Sequence, residues 1–264
     1  MDSHTQLSRR TTLKAGAFAA LAFPWLLDSV QIARAVPDGV GIEAGERLTR
    51  NGRVPTVGEF IKEYSKDTGL AKPYLQEVEK AAEILSKAPK TTTPFEVANY
   101  FFDVGQGRYG EDCIEYVKEW PIRANPLIVS FFDATTLRKP AGDTTAWCSA
   151  FVNWCIRQSI VGRKSDNFAG PTRDAASSSF RRWGQTTTNP SVGDIAVFKL
   201  NDDPSHGHVA FYVSEAGDNS IYILGGNQGA LAHNNNGEIN IKRVAKANSY
   251  WSIDSYRTAP DLRL

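Results

Sequence analysis

Apolar and polar residues repeat with two different periods in the second half of the chain. Residues 147–158 carry an apolar stripe at helical spacing, formed by Trp147, Ala150, Phe151, Trp154 and Cys155. Residues 208–214 alternate one by one instead, which predicts a strand with His208 facing away from the core. The residues facing that core are Val209, Phe211 and Val213. The pattern predicts a helix followed by a strand.

Further segments have strand character and are separated by turn residues. These segments are 192–198, 220–224, 238–244 and 250–256. The turn signals Gly217-Asp218-Asn219 and Asn236-Gly237 separate neighbouring segments. We therefore predict an α+β fold with about five antiparallel strands and helices on one side of the sheet.

Helical patterns also precede this region. Val57–Ser65 and Tyr74–Ala88 are two such segments, and Thr93-Pro94-Phe95-Glu96 is a capping-box signature that opens a helix through Asp103. The chain then divides into a small helical N-terminal region, 36–112, and a second region, 113–264, that contains the helix and strands described above. The helical region is either a separate binding module or a brace for the rest.

The first 35 residues have the features of an export signal. Arg9-Arg10 precedes an apolar run that is too short to span a membrane, and Ala33-Arg34-Ala35 is a small-x-small cleavage site. The pattern predicts a twin-arginine signal peptide over 1–35 and a mature chain without a membrane span. The predicted location is periplasmic or secreted.

Charge and cysteine content exclude several classes of protein. The formal net charge is +1 and there is no Lys/Arg run, so nothing favours nucleic-acid binding. The chain has 3 cysteines, enough for one disulfide with one thiol left over. Cys148 and Cys155 lie two helical turns apart, beyond disulfide reach, so if the two cysteines other than Cys148 pair, we expect the bond Cys113–Cys155. Zinc motifs and glycine-rich phosphate loops are absent from the sequence. We therefore expect no metal and no organic cofactor.

Cys148 is the candidate nucleophile. It falls in the first turn of the predicted helix, after the N-cap types Asp143, Thr144 and Thr145. The helix dipole and the unpaired N–H groups favour an anion there, and such sites lower a thiol pKa from ~8.5 to roughly 3.5–7.5. A buried structural cysteine is the alternative, and it is the preferred interpretation for Cys155.

His208 and Asn227 are the candidate base and the residue that orients it. A four-residue loop at 216–219 would pair Glu215 with Ser220, and the same register pairs His208 with Asn227. A one-residue slip would break this match. His206 is the competing base, whereas His4 and His233 have the surroundings of surface residues. The order Cys, His, Asn is that of papain-like thiol hydrolases.

These residues resemble the CHAP class of cysteine, histidine-dependent amidohydrolases/peptidases, which are relatives of NlpC-type cell-wall peptidases. The motifs that carry the resemblance are Asn125-Pro126-Leu127-Ile128, Trp147-Cys148-Ser149-Ala150-Phe151-Val152-Asn153-Trp154-Cys155, Pro190-Ser191-Val192-Gly193-Asp194-Ile195, Gly207-His208-Val209 and Gly225-Gly226-Asn227-Gln228. The resemblance covers roughly residues 120–258.

The resemblance implies a papain-like domain with catalytic Cys148 and His208. CHAP domains often have Glu followed two residues later by Asn at the third position, and here that position is Gly225 followed by Asn227. Asn227 is therefore the expected orienting residue. Asp143 and Gln228 are assigned to the substrate cleft.

The resemblance also implies the substrate class, which is the peptide part of peptidoglycan. The expected activity is that of an exported cysteine amidase or peptidase acting on stem peptides or crosslinks, on the cell's own wall or a competitor's. Two alternatives stay open, a non-catalytic wall-binding module of the same fold and a thiol acyltransferase of transglutaminase type.

Overall fold

The computed structural model of the protein describes residues 75–121, 123–137, 140–229 and 237–264. Its helices are α1 (Leu75–Lys87), α2 (Pro94–Gly105), α3 (Pro126–Phe131) and α4 (Cys148–Ser159). Short 3-10 segments cover Glu111–Val117, Phe132–Ala134, Ser177–Arg182 and Pro260–Leu262. The strands are β1 (Gln185–Thr187), β2 (Ile195–Leu200), β3 (Gly207–Gly217), β4 (Ser220–Gly229), β5 (Gly237–Ala245) and β6 (Trp251–Thr258).

The strands form one antiparallel sheet in the order β1-β6-β2-β3-β4-β5. The predicted α+β class is confirmed, and each of the five predicted strands is present. The sheet has a sixth strand, β1, at its edge. Its Gln-Thr-Thr sequence is polar and largely exposed, so it lacks the apolar alternation that marks the other strands.

The β3–β4 hairpin differs from its prediction in the turn, whereas the register at Phe211 and Tyr212 is the predicted one. The strands connect through a two-residue turn, Asp218-Asn219, with positive φ at both residues. Tyr212 nevertheless pairs with Ile223, as the four-residue loop had predicted. The predicted loop residues Ala216 and Gly217 belong to β3 instead, and bulges at Val213 and Ala216 take up the difference of two residues.

The two faces of the sheet are both buried. On one face, the ring of Phe211 contacts Phe95 of α2 at 6.3 Å, and α4 packs against β3 and β4. The other face, that of His208, carries a second apolar cluster, formed by Ala196, Phe198, Ala210, Tyr212, Ile221, Ile223, Val244 and Trp251. The prediction that His208 faces away from the core was therefore incomplete, because the opposite face has a core of its own.

Helix α2 belongs to the core of the region that contains Cys148 and His208. The predicted capping box is present, since Thr93 Oγ1 accepts from the N–H of Glu96 and Glu96 Oε2 accepts from the N–H of Thr93, each at 3.2 Å. Phe101 of this helix packs against an aromatic group formed by Phe131, Phe151 and Trp154. This packing is that of a brace, and it crosses the predicted boundary at 112/113.

Several predictions fall on residues that the structure does not describe. The signal peptide over 1–35, the helix at Val57–Ser65 and the start of the helix at Tyr74 lie outside the described residues. None of the helices in the described ranges is long and apolar enough to cross a membrane.

Candidate active site

Cys148 is the first residue of α4, as the apolar stripe predicted. The first intrahelical bond runs from the N–H of Phe151 to the carbonyl of Trp147 at 2.9 Å, so the N–H of Cys148 precedes the helical ladder. The N-cap is Trp147, without a capping side chain. The prediction that residues 143–145 supply the cap was wrong, since the helix begins later. Cys148 is buried, with 0% of its surface exposed.

Three contacts hold the ring of Trp147, the residue immediately before α4, in place. Its ring stacks on Phe131, with centroids 6.1 Å apart. Its Nε1–H donates to Glu119 Oε1 at 3.0 Å. On the third side lies Gly226 of β4, where an added Cβ would come within 2.3 Å of the indole. The nucleophile therefore follows a residue whose position is set by α3, β4 and the segment before α3.

Asn227 contacts this same helix start. The neighbours of Asn227 assign its amide orientation, with the nitrogen toward the Glu119 carboxylate. In this orientation the amide nitrogen donates to Glu119 Oε1 at 3.1 Å, and the amide oxygen accepts from the backbone N–H of Trp147 at 3.2 Å. Its φ is 55°, in the left-handed region that Asn tolerates better than most residues. The amide of Asn227 is thus committed to the helix of the nucleophile, and the hydrogen bond to His208 that the sequence suggested is not formed.

A β-bulge explains the position of Asn227. Gly225 pairs with Asn240 of β5 and Gln228 pairs with Glu238, so β4 uses three steps where β5 uses two. The extra residue reverses the alternation of side chains beyond Gly225. Asn227 therefore reaches the side of α4, and Gln228 takes the side on which His208 lies.

His208 is a buried base on β3. It pairs with Phe198 of β2 and has no exposed surface. Neither ring nitrogen makes a hydrogen bond of ordinary geometry to a described residue. Burial lowers the pKa of His208 to about 3, the Gln228 side chain opposes this shift, and the charge of Lys242 adds to it. The imidazole is therefore neutral at physiological pH and able to accept a proton.

Gln228 lies beside the base. The side chain is fully buried, and its contact raises the pKa of His208, which is the effect of an acceptor on an imidazolium. Its Nε2 donates to Asn240 Oδ1 at 2.9 Å. The sequence had assigned Gln228 to the substrate cleft, whereas these contacts are with the base and with β5.

Asp143 is also buried and engaged with the backbone. Its Oδ2 accepts from the N–H of Trp120 at 2.9 Å and from the N–H of Asn125 at 2.8 Å. Burial raises the pKa of Asp143 and these two hydrogen bonds lower it, with burial the larger effect. The carboxylate holds the loop before α3, where Asn125 caps the helix through the N–H of Leu127. These contacts hold the segment before α3 in place, and the assignment of Asp143 to the substrate cleft stays a prediction.

Glu119 is a site residue that sequence reasoning missed. It is partly buried and joins Trp147 to Asn227, and burial raises the pKa of its carboxyl despite the bond from Trp147. Glu119 lies 28 residues before its Trp147 partner, and no short motif marks it. The one sequence feature that could have identified Glu119 is its place beside Trp120, ahead of the Asn-Pro helix.

The remaining candidates have structural surroundings. His206 Nδ1 lies 2.6 Å from Asp203 Oδ2 in the partly exposed turn before β3, so it is engaged locally. The three cysteines form no disulfide. Burial raises the pKa of Cys155 well above its usual range, and it raises that of Cys113 as well. Both thiols are poor nucleophiles in this state.

Comparison with known proteins agrees with this geometry. Residues 140–227 match the family model of the CHAP domain, and the matched segment includes Cys148, His208 and Asn227. No curated protein and no solved structure matches the chain at a significant level. The match and the α+β fold are consistent with a CHAP-type domain, as the motifs had predicted. CHAP domains are generally cysteine- and histidine-dependent amidohydrolases, and activity on peptidoglycan is what such a domain suggests.

Proposed function

We propose that the protein is an exported cysteine amidase or peptidase that hydrolyses amide bonds in the peptide part of bacterial peptidoglycan. The observation that carries the proposal is the position of Cys148 at the first residue of α4, on a helix that packs against the strand of His208. The matched CHAP segment supports the substrate class.

In the proposed reaction the thiol of Cys148 attacks the carbonyl carbon of the amide. His208 takes the thiol proton and later gives it to the leaving amine, which leaves a thioester on the sulfur. Water then attacks the thioester with His208 again as the base. The helix α4 begins at Cys148, and the positive end of its dipole would stabilise the oxyanion of each tetrahedral intermediate.

The low pKa of His208 favours one version of this scheme. An imidazole with a pKa of about 3 is neutral in the resting state and does not hold a proton taken from the thiol. Proton transfer then accompanies attack on the substrate instead of preceding it. Because Cys148 and His208 are both fully buried, substrate entry requires the surrounding residues to move.

Export completes the proposal, because the substrate lies outside the cytoplasm. Its support is the twin-arginine pattern Arg9-Arg10 with Leu13-Lys14 and the cleavage site at residues 33–35. A mature chain beginning near Val36 would carry the whole matched segment to the cell wall.

Mass spectrometry of muropeptides tests the function. The purified chain, incubated with purified peptidoglycan, should release new amino and carboxyl ends, and Cys148→Ala should lose activity by several orders of magnitude. Cys113→Ala is the matched control and should stay active. EDTA should have no effect.

Three results would contradict parts of the proposal. Full activity in Cys148→Ala, or inhibition by EDTA that zinc reverses, would exclude the thiol mechanism. Incorporation of an added amine into the product would indicate acyl transfer in place of hydrolysis. Binding to peptidoglycan with no cleavage, and a Cys148 thiol that iodoacetamide does not modify, would indicate a wall-binding module.

A further inference from the structure

The side-chain amide of Gln228 is held in one orientation. Its Nε2 faces three oxygens, the carbonyls of Gly225 at 3.2 Å and Asn240 at 2.6 Å and the Oδ1 of Asn240 at 2.9 Å. A primary amide has two hydrogens to donate, so this oxygen-rich environment fixes which end of the amide lies there. Oε1 must then point the other way, and it has no hydrogen-bond partner among the described residues.

The unpartnered oxygen is on the side of the sheet that carries His208. A Cβ placed at Gly225 would lie 3.3 Å from Cδ of Gln228 and 2.8 Å from Cβ of Ala210. Gln228 therefore folds over the bare backbone at Gly225, next to Ala210, which is two residues from His208 on the same face of β3. Any side chain at residue 225 would compete for this space.

The hydrogen bonds continue from Gln228 to a carboxylate. Asn240 Nδ2 donates to Glu238 Oε1 at 2.8 Å, while Asn240 Oδ1 accepts from Gln228. Gln228 therefore donates to Asn240, and Asn240 donates to Glu238. At the other end of this chain, the oxygen of Gln228 faces the imidazole. Hydrogen bonds aligned in this way polarise one another, which makes the oxygen of Gln228 a better acceptor.

We propose that Gln228 is the positioning residue for the imidazole of His208, and that Asn240 and Glu238 hold Gln228 in the orientation in which its amide oxygen accepts a hydrogen bond from the ring N–H. The proposal rests on the proposed function for its catalytic consequence, while its structural content does not depend on any substrate. Asn227, the orienting residue expected from sequence, has a different task in this arrangement, because its amide holds the start of α4.

The groups that surround the ring agree with this assignment. Phe198 of β2 contacts the imidazole at 6.2 Å between centroids, and Lys242 of β5 lowers its pKa by charge. Gln228 of β4 is the group that favours the protonated form, and Glu238 lies beyond Asn240 on the same side. An imidazole that donates to a fixed acceptor keeps one tautomer, so its other nitrogen stays available as the base.

Nitrogen NMR of the full-length chain, labelled at histidine, tests the assignment without a substrate. The signals of His208 are identified by their loss in His208→Asn. In the wild type, His208 should show one neutral tautomer between pH 5 and pH 8. An exposed histidine, with a pKa of ~6.5, would become protonated within this range, whereas the buried ring should not. In Gln228→Met the nitrogen shifts should move to the average of two tautomers.

A graded series of variants separates positioning from packing. Asn240→Leu keeps the backbone carbonyl that binds Gln228 and removes the link to Glu238, so it should shift the tautomer balance less than Gln228→Met. Glu238→Gln retains an oxygen that accepts from Asn240 and should resemble the wild type. Gln185→Met, on the exposed edge strand β1, is the matched control and should change nothing.

Activity supplies the second measurement. Gln228→Met should lower kcat roughly 100-fold with little change in KM, the lower end of what a positioned proton-transfer group contributes. An unchanged tautomer of His208 in folded Gln228→Met would overturn the proposal. If circular dichroism shows that Gln228→Met does not fold, identical His208 spectra in Asn240→Leu and Glu238→Gln would overturn it. A wild type without hydrolytic activity would refute the proposed function and leave the tautomer result standing.

Discussion

The amide oxygen of Asn227 accepts a hydrogen bond from the backbone N–H of Trp147 at a distance of 3.2 Å, which ties β4 to the residue before the nucleophile. The same amide donates to Glu119, so one side chain connects the sheet, the start of α4 and the segment ahead of α3. The next residue, Gln228, serves the base on the other side of the strand. Two consecutive residues thus contact the two halves of the site.

Asn227 is expected to matter for both its amide and its backbone conformation. Asn227→Gly removes two hydrogen bonds, worth about 1 kcal/mol each, but keeps the positive φ accessible. Asn227→Ala loses the same bonds and adds about 1 kcal/mol of backbone strain. Chemical denaturation should therefore rank the wild type above Gly and Gly above Ala. Equal stability of the two variants would mean that the positive φ costs nothing here.

Gly226 is expected to tolerate no side chain. In Gly226→Ala the new Cβ would meet the indole of Trp147 at 2.3 Å and Cβ of Phe151 at 3.0 Å. Displacing α4 from β4 should cost about 1–3 kcal/mol and lower activity, because the nucleophile moves with the helix. Trp147→Phe in the Gly226→Ala background should restore part of the loss, which a double-mutant cycle would measure. Strictly additive losses would argue against this contact.

His208 is expected to make folding stability depend on pH. Its pKa is about 3 in the folded protein and near 6.5 in the unfolded chain, so the unfolded chain binds one more proton between these values. Its neutral form therefore contributes stability above pH 6.5 that is lost as the pH falls. Between pH 7 and pH 5 the loss should be on the order of 2 kcal/mol.

The measurement compares the wild type with His208→Gln by denaturation at each pH. The comparison removes the contributions of Glu119 and Asp143, whose raised pKa values act in the opposite direction in both proteins. The stability difference should shrink in the acid range. A difference that stays constant from pH 7 to pH 5 would show that the imidazole is not held neutral by burial.

Export is expected to depend on the paired arginines. Replacing Arg9 and Arg10 by lysine keeps the charge and removes the pattern that the twin-arginine route recognises, so the precursor should accumulate in the cytoplasm. Arg34→Lys in the same leader is the control and should be exported. Cell fractionation with immunoblotting distinguishes the two, and normal export of the double variant would exclude this route.

Local rules predicted the elements well, because they act within a few residues. The capping box at Thr93 and Glu96 and the strand alternation around His208 are short-range patterns, and both are present in the structure. The register at Tyr212 and Ile223 was also correct, although for a wrong reason. The predicted four-residue loop with regular strands and the observed two-residue turn with two bulged residues in β3 give the same pairing in the part of the hairpin away from the turn.

The site itself was less predictable, because its key features are tertiary. The bulge after Gly225 depends on how β4 fits both α4 and β5, and no local pattern encodes it. It exchanged the expected neighbours of His208, with Gln228 in place of Asn227. Glu119 could not be found from spacing, since its partners are distant in sequence and meet it only when the fold closes.

The bulge also gives the segment Gly225-Gly226-Asn227-Gln228 an unusual sensitivity to its own length. Deleting one residue there would restore regular pleating, and each following side chain would then point to the opposite face of the sheet, even if every remaining residue were chemically suitable. A substitution removes one contact at a time, whereas a change of length displaces both Asn227, which holds the start of α4, and Gln228, which lies beside the imidazole. For chains that share this arrangement, a conserved spacing between the two glycines and the glutamine is a stricter requirement than the identity of any one residue between them.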